Sequence, residues 1–397
     1  MTVRAILIRH GELFDPSARG QQDILIISGK IAAIGPALEI PGWAEGTVIE
    51  ASGKMVCPGF VDQHVHIAGG GGEGGPMFRT PEISLSQLTE AGITTVVGVL
   101  GTDGTTRSVQ SLLAKSRALS AMGVSAWIYT GAYQVPTRTI TGSARDDIIL
   151  IDKVLGIGEI AISDHRGSQA GDEALAALAS EARVGGLLAG KAGVLHLHVG
   201  DSPQGLSILF RLMEHYDVPL ATFVPTHLNR RRRLLEDGVR WGKMGGYCDL
   251  TTGIFPDAHD PGAVRASQAA QDLEQAGVPW DRISFSSDAQ GSIPVFDPDG
   301  RLAGMDVGSA TTLFEEAAAL HDLTGWSWEK CLRPITSTPA DILGIGQAGR
   351  LAAGGPADCV VLNAGKIDTV IAQGRVMVES GTALVRGMFE SGPAHAY

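Results

Sequence analysis

The sequence predicts an α/β fold: a (β/α)8 TIM barrel with a small β-sandwich domain formed by both chain ends. Two observations carry this. Eight short apolar runs, each ending in polar residues, recur through the middle of the chain with helical patterns between many of them. Strand and helix in alternation build a parallel sheet, and eight units in about 280 residues fit a closed barrel. The two ends read instead as short β-strands separated by glycine turns.

In chain order, Ala5 to Arg9, Asp23 to Ser28 and Lys30 to Ile34 are apolar or β-branched and read as strands. The eight barrel strands are expected at Phe60 to Ile67, Thr94 to Leu100, Ser125 to Thr130, Glu159 to Ser163, Val194 to Val199, Ala221 to His227, Tyr247 to Thr252 and Ile283 to Ser287. Between them, Val109, Leu112, Leu113 and Leu119 share one helical stripe over Thr106 to Met122, and Asp172 to Ala189 is rich in strong helix formers. Asp358 to Asn363, Ile367 to Ala372 and Gly374 to Val378 close the chain as strands. The expected division is residues 58–344 for the barrel, and 1–57 with 345–397 for one discontinuous domain.

Composition excludes several classes. With 44% hydrophobic and 19% charged residues, wholesale disorder is ruled out. Glycine, at 53 of 397 residues, is far above the usual ~7% and calls for tight turns and close backbone approaches. The net charge of −12 argues against nucleic acid or an anionic membrane as partner. The basic run Arg230 to Arg233 is too short to reverse that, and no apolar run reaches a membrane span. Cys57, Cys248, Cys331 and Cys359 form no CxxC pair, so neither a disulfide framework nor a cysteine-rich zinc site is indicated. No signal-like segment opens the sequence, and the expected compartment is cytoplasmic.

In such a barrel the chemistry sits at the C-terminal ends of the strands. The first strand ends in Asp62-Gln63-His64-Val65-His66, and alternation puts both imidazoles on one face. The fourth opens with Glu159 and ends in Ser163-Asp164-His165-Arg166; the fifth ends in His196-Leu197-His198. The sixth ends in Thr226-His227-Leu228-Asn229-Arg230, and the eighth in Ser287-Asp288. These nitrogen and oxygen donors suit zinc, with manganese, cobalt and nickel as alternatives. No organic cofactor is indicated. His196 reads as core and His165 as a neighbour-orienting residue, while His10, His215, His259, His321 and His395 have no supporting context.

Pro58 to His66, the later strand histidines and aspartate, and the tail Gly355 to Leu362 together resemble the amidohydrolase superfamily. Gly69 to Glu73, Leu100 to Asp103, Thr130 to Tyr133, Ile162 to Arg166, Pro225 to Arg230 and Ser287 to Ser292 are similar to the loops of its isoaspartyl (β-aspartyl) dipeptidases. The resemblance implies a binuclear zinc peptidase that cleaves the β-aspartyl isopeptide bond of dipeptides by attack of a metal-bridging hydroxide. It assigns His64, His66 and Asp288 to one metal, His198 and His227 to the other, and a bridging carboxylate to the fourth strand. Asp288 becomes general base and acid, and Tyr133 the donor to the oxyanion. Glu73 takes the substrate's α-amino group. Gly71, Thr102 and Ser292 take its aspartyl end, and Arg166 and Arg230 the leaving residue's carboxylate. It also implies a homo-oligomer, up to an octamer.

One position departs from that pattern. The family's usual bridge is a carboxylated lysine, whereas this chain has Glu159 and no lysine between Lys153 and Lys191. Its carboxyl carbon lies three atoms nearer the backbone than that of a lysine carbamate. Either the strand approaches the metals or the metals shift, and Gly158 is the residue expected to allow the approach. Two rival readings are a related amidohydrolase acting on a cyclic amide or N-acyl amino acid, and a non-catalytic binding or assembly subunit. Glu73, Tyr133, Arg166 and Arg230 favour a dipeptide with two charged ends. The presence of every metal ligand disfavours the non-catalytic reading.

Overall fold

A computed structural model describes residues 3–256, 262–296 and 302–390. Eight parallel strands form the central ring: β1 (Phe60–Val65), β2 (Ile93–Gly98), β3 (Ser125–Thr130), β4 (Val154–Ile162), β5 (Val194–Val199), β6 (Phe223–Thr226), β7 (Cys248–Thr251) and β8 (Ile283–Ser286). They match the eight expected runs closely, except that β4 begins five residues before Glu159. The helices Val109–Ala121 and Asp172–Ala189 lie where the apolar stripe and the Ala/Leu/Glu run placed them. An antiparallel pair, Ser292–Phe296 with Leu302–Val307, follows β8 and carries no barrel pattern.

The ring has two seams. Among the described residues, strands β1 to β6 form one continuous sheet and β7 pairs only with β8. At the strand ends the gaps are bridged by backbone bonds: Leu228 N to Asp249 O (3.3 Å), Asp288 N to His64 O (3.2 Å) and His66 N to Ala289 O (2.9 Å). Inside the barrel the Asp249 carboxylate ties both seams. It accepts from Gln63 on β1 (2.6 Å), Thr226 on β6 (2.6 Å), and Ser284 (2.7 Å) and Ser286 (2.6 Å) on β8. Removing the carboxylate orphans three buried hydroxyls, of Thr226, Ser284 and Ser286, at about 1–3 kcal/mol each, partly offset by rearrangement, while Gln63 keeps its second bond to Ser284 Oγ (2.8 Å). Asp249→Ala is therefore expected to lower stability by at least about 2–4 kcal/mol, read as a fall in the urea midpoint; an unchanged midpoint contradicts the clasp.

The chain ends form one continuous nine-stranded sheet, which is the form taken by the expected sandwich. Val3–Asp15, Ser17–Ile27, Lys30–Gly35, Ala44–Glu50 and Met55–Pro58 join Cys359–Asn363, Lys366–Ala372, Arg375–Glu379 and Thr382–Ala383. The junction is the pairing of Val56 with Val361. Ile6, Ile8, Ile24 and Val56 from one end share a core with Val361 and Ile371 from the other. The opposite face is buried as well: Ala5, Leu7 and Leu25 form a second small cluster, and Cys57, Val360, Leu362 and Val370 pack into the barrel's core. Among the described residues no helix is long and apolar enough to cross a membrane. The four cysteines are buried and unpaired.

Candidate active site

Each expected metal ligand projects into one buried cluster at the C-terminal mouth of the barrel. His64, Glu159, His198 and His227 are at most 3% exposed, and His66 is 6% exposed. His64 and His66 share a face of β1, their ring centroids 5.5 Å apart. Glu159 lies between the two halves of the cluster. Its Oε1 is 3.5 Å from His66 Nε2, while its Oε2 is 3.5 Å from His64 Nε2, 3.2 Å from His198 Nδ1 and 3.9 Å from His227 Nε2. Asp288 Oδ1 is 3.1 Å from His66 Nε2 and 3.3 Å from His64 Nε2.

Glu159 reaches this place through broken register. Opposite Leu195 and Leu197, two residues apart on β5, stand Ile157 and Ile160, three apart on β4. The extra residue is a β-bulge, which re-aims side chains near functional sites. Ile157 and Ile160 pack into the core shared with the surrounding helices, and Glu159 faces the histidines. Gly158 is required here, because a Cβ would lie 2.8 Å from His196 Cβ and 3.0 Å from its carbonyl oxygen.

The donor set fits divalent cations. Four buried atoms that face one another have no hydrogen-bond partner: His64 Nε2, His227 Nε2, Glu159 Oε1 and Asp288 Oδ1. Such orphans are rare in folded proteins and call for an ion or water. Ligand atoms of His64, His66 and Glu159 gather within 4.8 Å of one another, and so do those of Glu159, His198 and His227. Glu159 belongs to both groups. A third group is His64, His227 and Asp288. Burial lowers the His64 pKa, but the carboxylates of Glu159 and Asp288 carry it up to about 9. Burial takes His227 down to about 3. Despite burial, the surrounding imidazoles hold the Glu159 and Asp288 carboxyls well below the carboxylate range. Two carboxylates, one buried and one partly exposed, thus stay ionised and demand positive charge.

The remaining imidazole nitrogens are held from behind. His64 Nδ1 meets His196 Nε2 at 2.7 Å, and the His196 ring stacks on Tyr129. His227 Nδ1 meets Thr251 Oγ1 at 2.6 Å, and His198 Nε2 lies 3.0 Å from Asp164 Oδ2. Such partners fix which nitrogen faces a metal. His196 is therefore core, but core that orients a candidate ligand. Nothing local in the sequence marks Thr251 or Asp164 for this role: β7 ends without a histidine, and Asp164 stands in the polar end of the fourth strand among residues with side chains of their own to offer. His165 is 92% exposed at its side chain, 3.7 Å from Asp164. His259 and His395 lie outside the described residues.

At the rim, Thr102 Oγ1 and Ser292 Oγ donate to Glu73 (2.8 and 3.1 Å), and Arg166 Nη1 approaches the same carboxylate at 3.5 Å. Gly71 has φ 70°, and a Cβ there would meet Phe78 O at 2.5 Å and Ser292 Cβ at 3.3 Å. Tyr133 OH is 2.8 Å from His198 Nδ1, and the Arg166 guanidinium stands 5.5 Å from the Tyr133 ring centre. Burial and the Glu159 charge push the Tyr133 phenol well above its usual pKa, so it remains a hydroxyl. Arg230, whose charge also acts on Tyr133, lies 3.9 Å from Asp201. The expected substrate residues are thus neighbours of one another and of the cluster.

The amidohydrolase family profile matches residues 55–377. The chain belongs to the amidohydrolase family. This amidohydrolase is 37% identical to the β-aspartyl dipeptidase of Fervidobacterium islandicum AW-1, solved with β-Asp-Leu dipeptide, over 96% of this chain and 98% of that one (TM-score 0.87). That likeness, over nearly the whole of both chains, places it with the β-aspartyl dipeptidases among hydrolytic enzymes. Curated relatives include dihydroorotases of Solibacter usitatus, 29% identical over 165 residues, and Aquifex aeolicus, 32% identical over 142. These alignments cover 40% and 34% of this chain, and only 35% and 30% of those proteins, so the chain spans about a third of their length. A D-hydantoinase at 18% identity and TM-score 0.66 shares the fold alone.

Proposed function

We propose that this amidohydrolase hydrolyses the β-aspartyl bond of dipeptides. The observation that carries the reading is the rim group. Glu73, gripped by Thr102 and Ser292, offers a carboxylate for an ammonium, and Arg166 beside it offers a guanidinium for a carboxylate. A dipeptide with a free amino group and two carboxylates matches that charge pattern. The Fervidobacterium relative holds such a dipeptide, β-Asp-Leu.

His64, His66 and Asp288 would hold one divalent metal, zinc by donor chemistry, and His198 and His227 a second, with Glu159 shared. When bound, such a pair activates water and polarises the scissile carbonyl. The chain's own residues do the rest. Asp288 takes the proton of the attacking water and delivers it to the leaving amine. Tyr133 donates to the oxygen on which charge develops. Gly71, Thr102 and Ser292 border the place for the aspartyl end, and Arg166 and Arg230 the place for the leaving residue's carboxylate. The division into 58–344 and 1–57 with 345–397 assigns all this chemistry to the barrel. We read the chain as cytoplasmic, and on family resemblance as a homo-oligomer; sedimentation velocity measures its subunit number.

The test is hydrolysis by zinc-loaded protein of β-Asp-Leu, α-Asp-Leu, dihydroorotate, hydantoin and N-acetyl amino acids. The expected result is a kcat/KM for the β-linked dipeptide at least about a hundredfold above every other compound: the cyclic amides and N-acetyl amino acids leave rim charges unpaired, and the α-linked dipeptide, with the same three charges, sets its scissile carbonyl one carbon away from the place the β-linkage gives it. Preference for the α-linked dipeptide, or for the cyclic amide on which the curated relatives act by name, overturns the reading.

A further inference from the structure

We propose that Asp164 is a positioning residue that couples metal retention at His198 to recognition of the substrate carboxylate by Arg166. The inference deepens the function proposed above and rests on it. Asp164 follows β4 and is 5% exposed. Its Oδ1 accepts from the backbone N–H of Arg166 (2.8 Å) and from Arg166 Nε (3.0 Å). Its Oδ2 accepts from Arg166 Nη2 (2.6 Å) and lies 3.0 Å from His198 Nε2.

The carboxylate is fixed in place. Gln169 Nε2 and the Gly167 N–H donate to the Asp164 carbonyl (2.7 and 3.1 Å). A Cβ on Gly200, at the end of β5, would sit 2.5 Å from Asp164 Cβ, so the absence of a side chain there lets the two strand ends close. His198 turns Nδ1 toward Glu159 and Nε2 toward Asp164. With a metal on Nδ1, Nε2 carries the proton and donates it to Asp164, which raises the basicity of the ligand. Arg166 spends one edge of its fork on the same carboxylate, its Nη2 also standing 3.2 Å from His198 Nε2, and keeps Nη1 facing the rim; the Asp164→Asn background separates this direct contact from the path through the carboxylate.

One carboxylate therefore divides its charge between a metal ligand and a substrate clamp. A carboxylate drawn to Arg166 relaxes the hold of Arg166 on Asp164 and leaves more of that charge to His198. Binding at the rim then firms the metal, and by linkage the metal firms binding at the rim.

Zinc retention, measured by competition with a chromophoric chelator and no dipeptide present, tests this separately from turnover. Asp164→Asn is expected to weaken retention about 10- to 100-fold. Arg166→Met is expected to do the opposite, tightening it about fivefold or more while raising the KM for β-Asp-Leu. In the Asp164→Asn background, Arg166→Met is expected to change retention less than about twofold, because its effect passes through the carboxylate. A merely structural role makes both single variants weaken zinc. A plain field effect of the lost cation gives the same tightening in both backgrounds. Either pattern overturns the proposal, as does Arg166→Met within twofold of wild type. If Asp164→Asn fails to fold, Asp164→Glu replaces it; its displaced carboxylate is expected to lose retention despite the kept charge. Failure of β-Asp-Leu as substrate leaves the zinc measurements standing and refutes the function alone.

Discussion

Glu159→Gln is expected to leave a folded protein that holds at most one tightly bound metal and has lost about a thousandfold or more in kcat/KM. The side chain keeps its volume and loses its charge. Among the described residues Glu159 belongs to both histidine groups that straddle it, so loss of its charge weakens both halves. Losing one Lewis acid removes charge stabilisation on the order of 4 kcal/mol, which is about a thousandfold in rate. Metal analysis after gel filtration and kcat/KM for β-Asp-Leu read the two effects. Two tightly bound ions, or activity within tenfold of wild type, defeats the shared-ligand role. Glu159→Lys with bicarbonate sharpens the point. Its carbamate would extend three atoms further from a strand already brought in by the bulge and by Gly158. Such a side chain overshoots the cluster, so rescue is expected to stay below a few per cent of wild type. Substantial rescue would show that the backbone has not compensated for the shorter ligand.

That compensation marks the limit of what the residues revealed before folding. The strand ends were legible because His64 with His66, and His196 with His198, sit two apart on short apolar runs, and a period of two fixes their faces. The helix Asp172–Ala189 was legible from local propensity. The bulge at Ile157 to Ile160 was not, because the run Val154 to Ile162 is apolar at nearly every position and alternation gives no register. Asp249 was missed for a different reason. Its partners come from positions 63, 226, 284 and 286, and no local pattern brings them together. The supports of the metal cluster, Asp164 and Thr251, are likewise products of the assembled ring.

Asp288→Asn carries the second large effect, and its signature differs from that of Glu159→Gln. The residue sits just past β8 with φ 54°, a left-handed conformation that few residues other than glycine, asparagine and aspartate adopt. Such strain costs on the order of 1–3 kcal/mol and persists where the surroundings impose it. Here the surroundings are close. A Cβ on Gly291 would lie 2.6 Å from Asp288 Oδ1, and one on Gly308 would lie 2.3 Å from the Asp288 carbonyl oxygen. The strained turn aims Oδ1 at His64 and His66 while leaving the side chain 24% exposed toward the mouth. An atom that only ligated would have no need of that opening, whereas a group that relays a proton must reach both water and leaving amine. Asparagine tolerates the same backbone and can still offer an oxygen to a metal, but it cannot take a proton. The variant is therefore expected to lose about 10²- to 10⁴-fold in kcat, with KM changed less than about fivefold and zinc content retained. If kcat returns when excess zinc is supplied, Asp288 is a ligand alone and the proton relay must be sought elsewhere in the cluster.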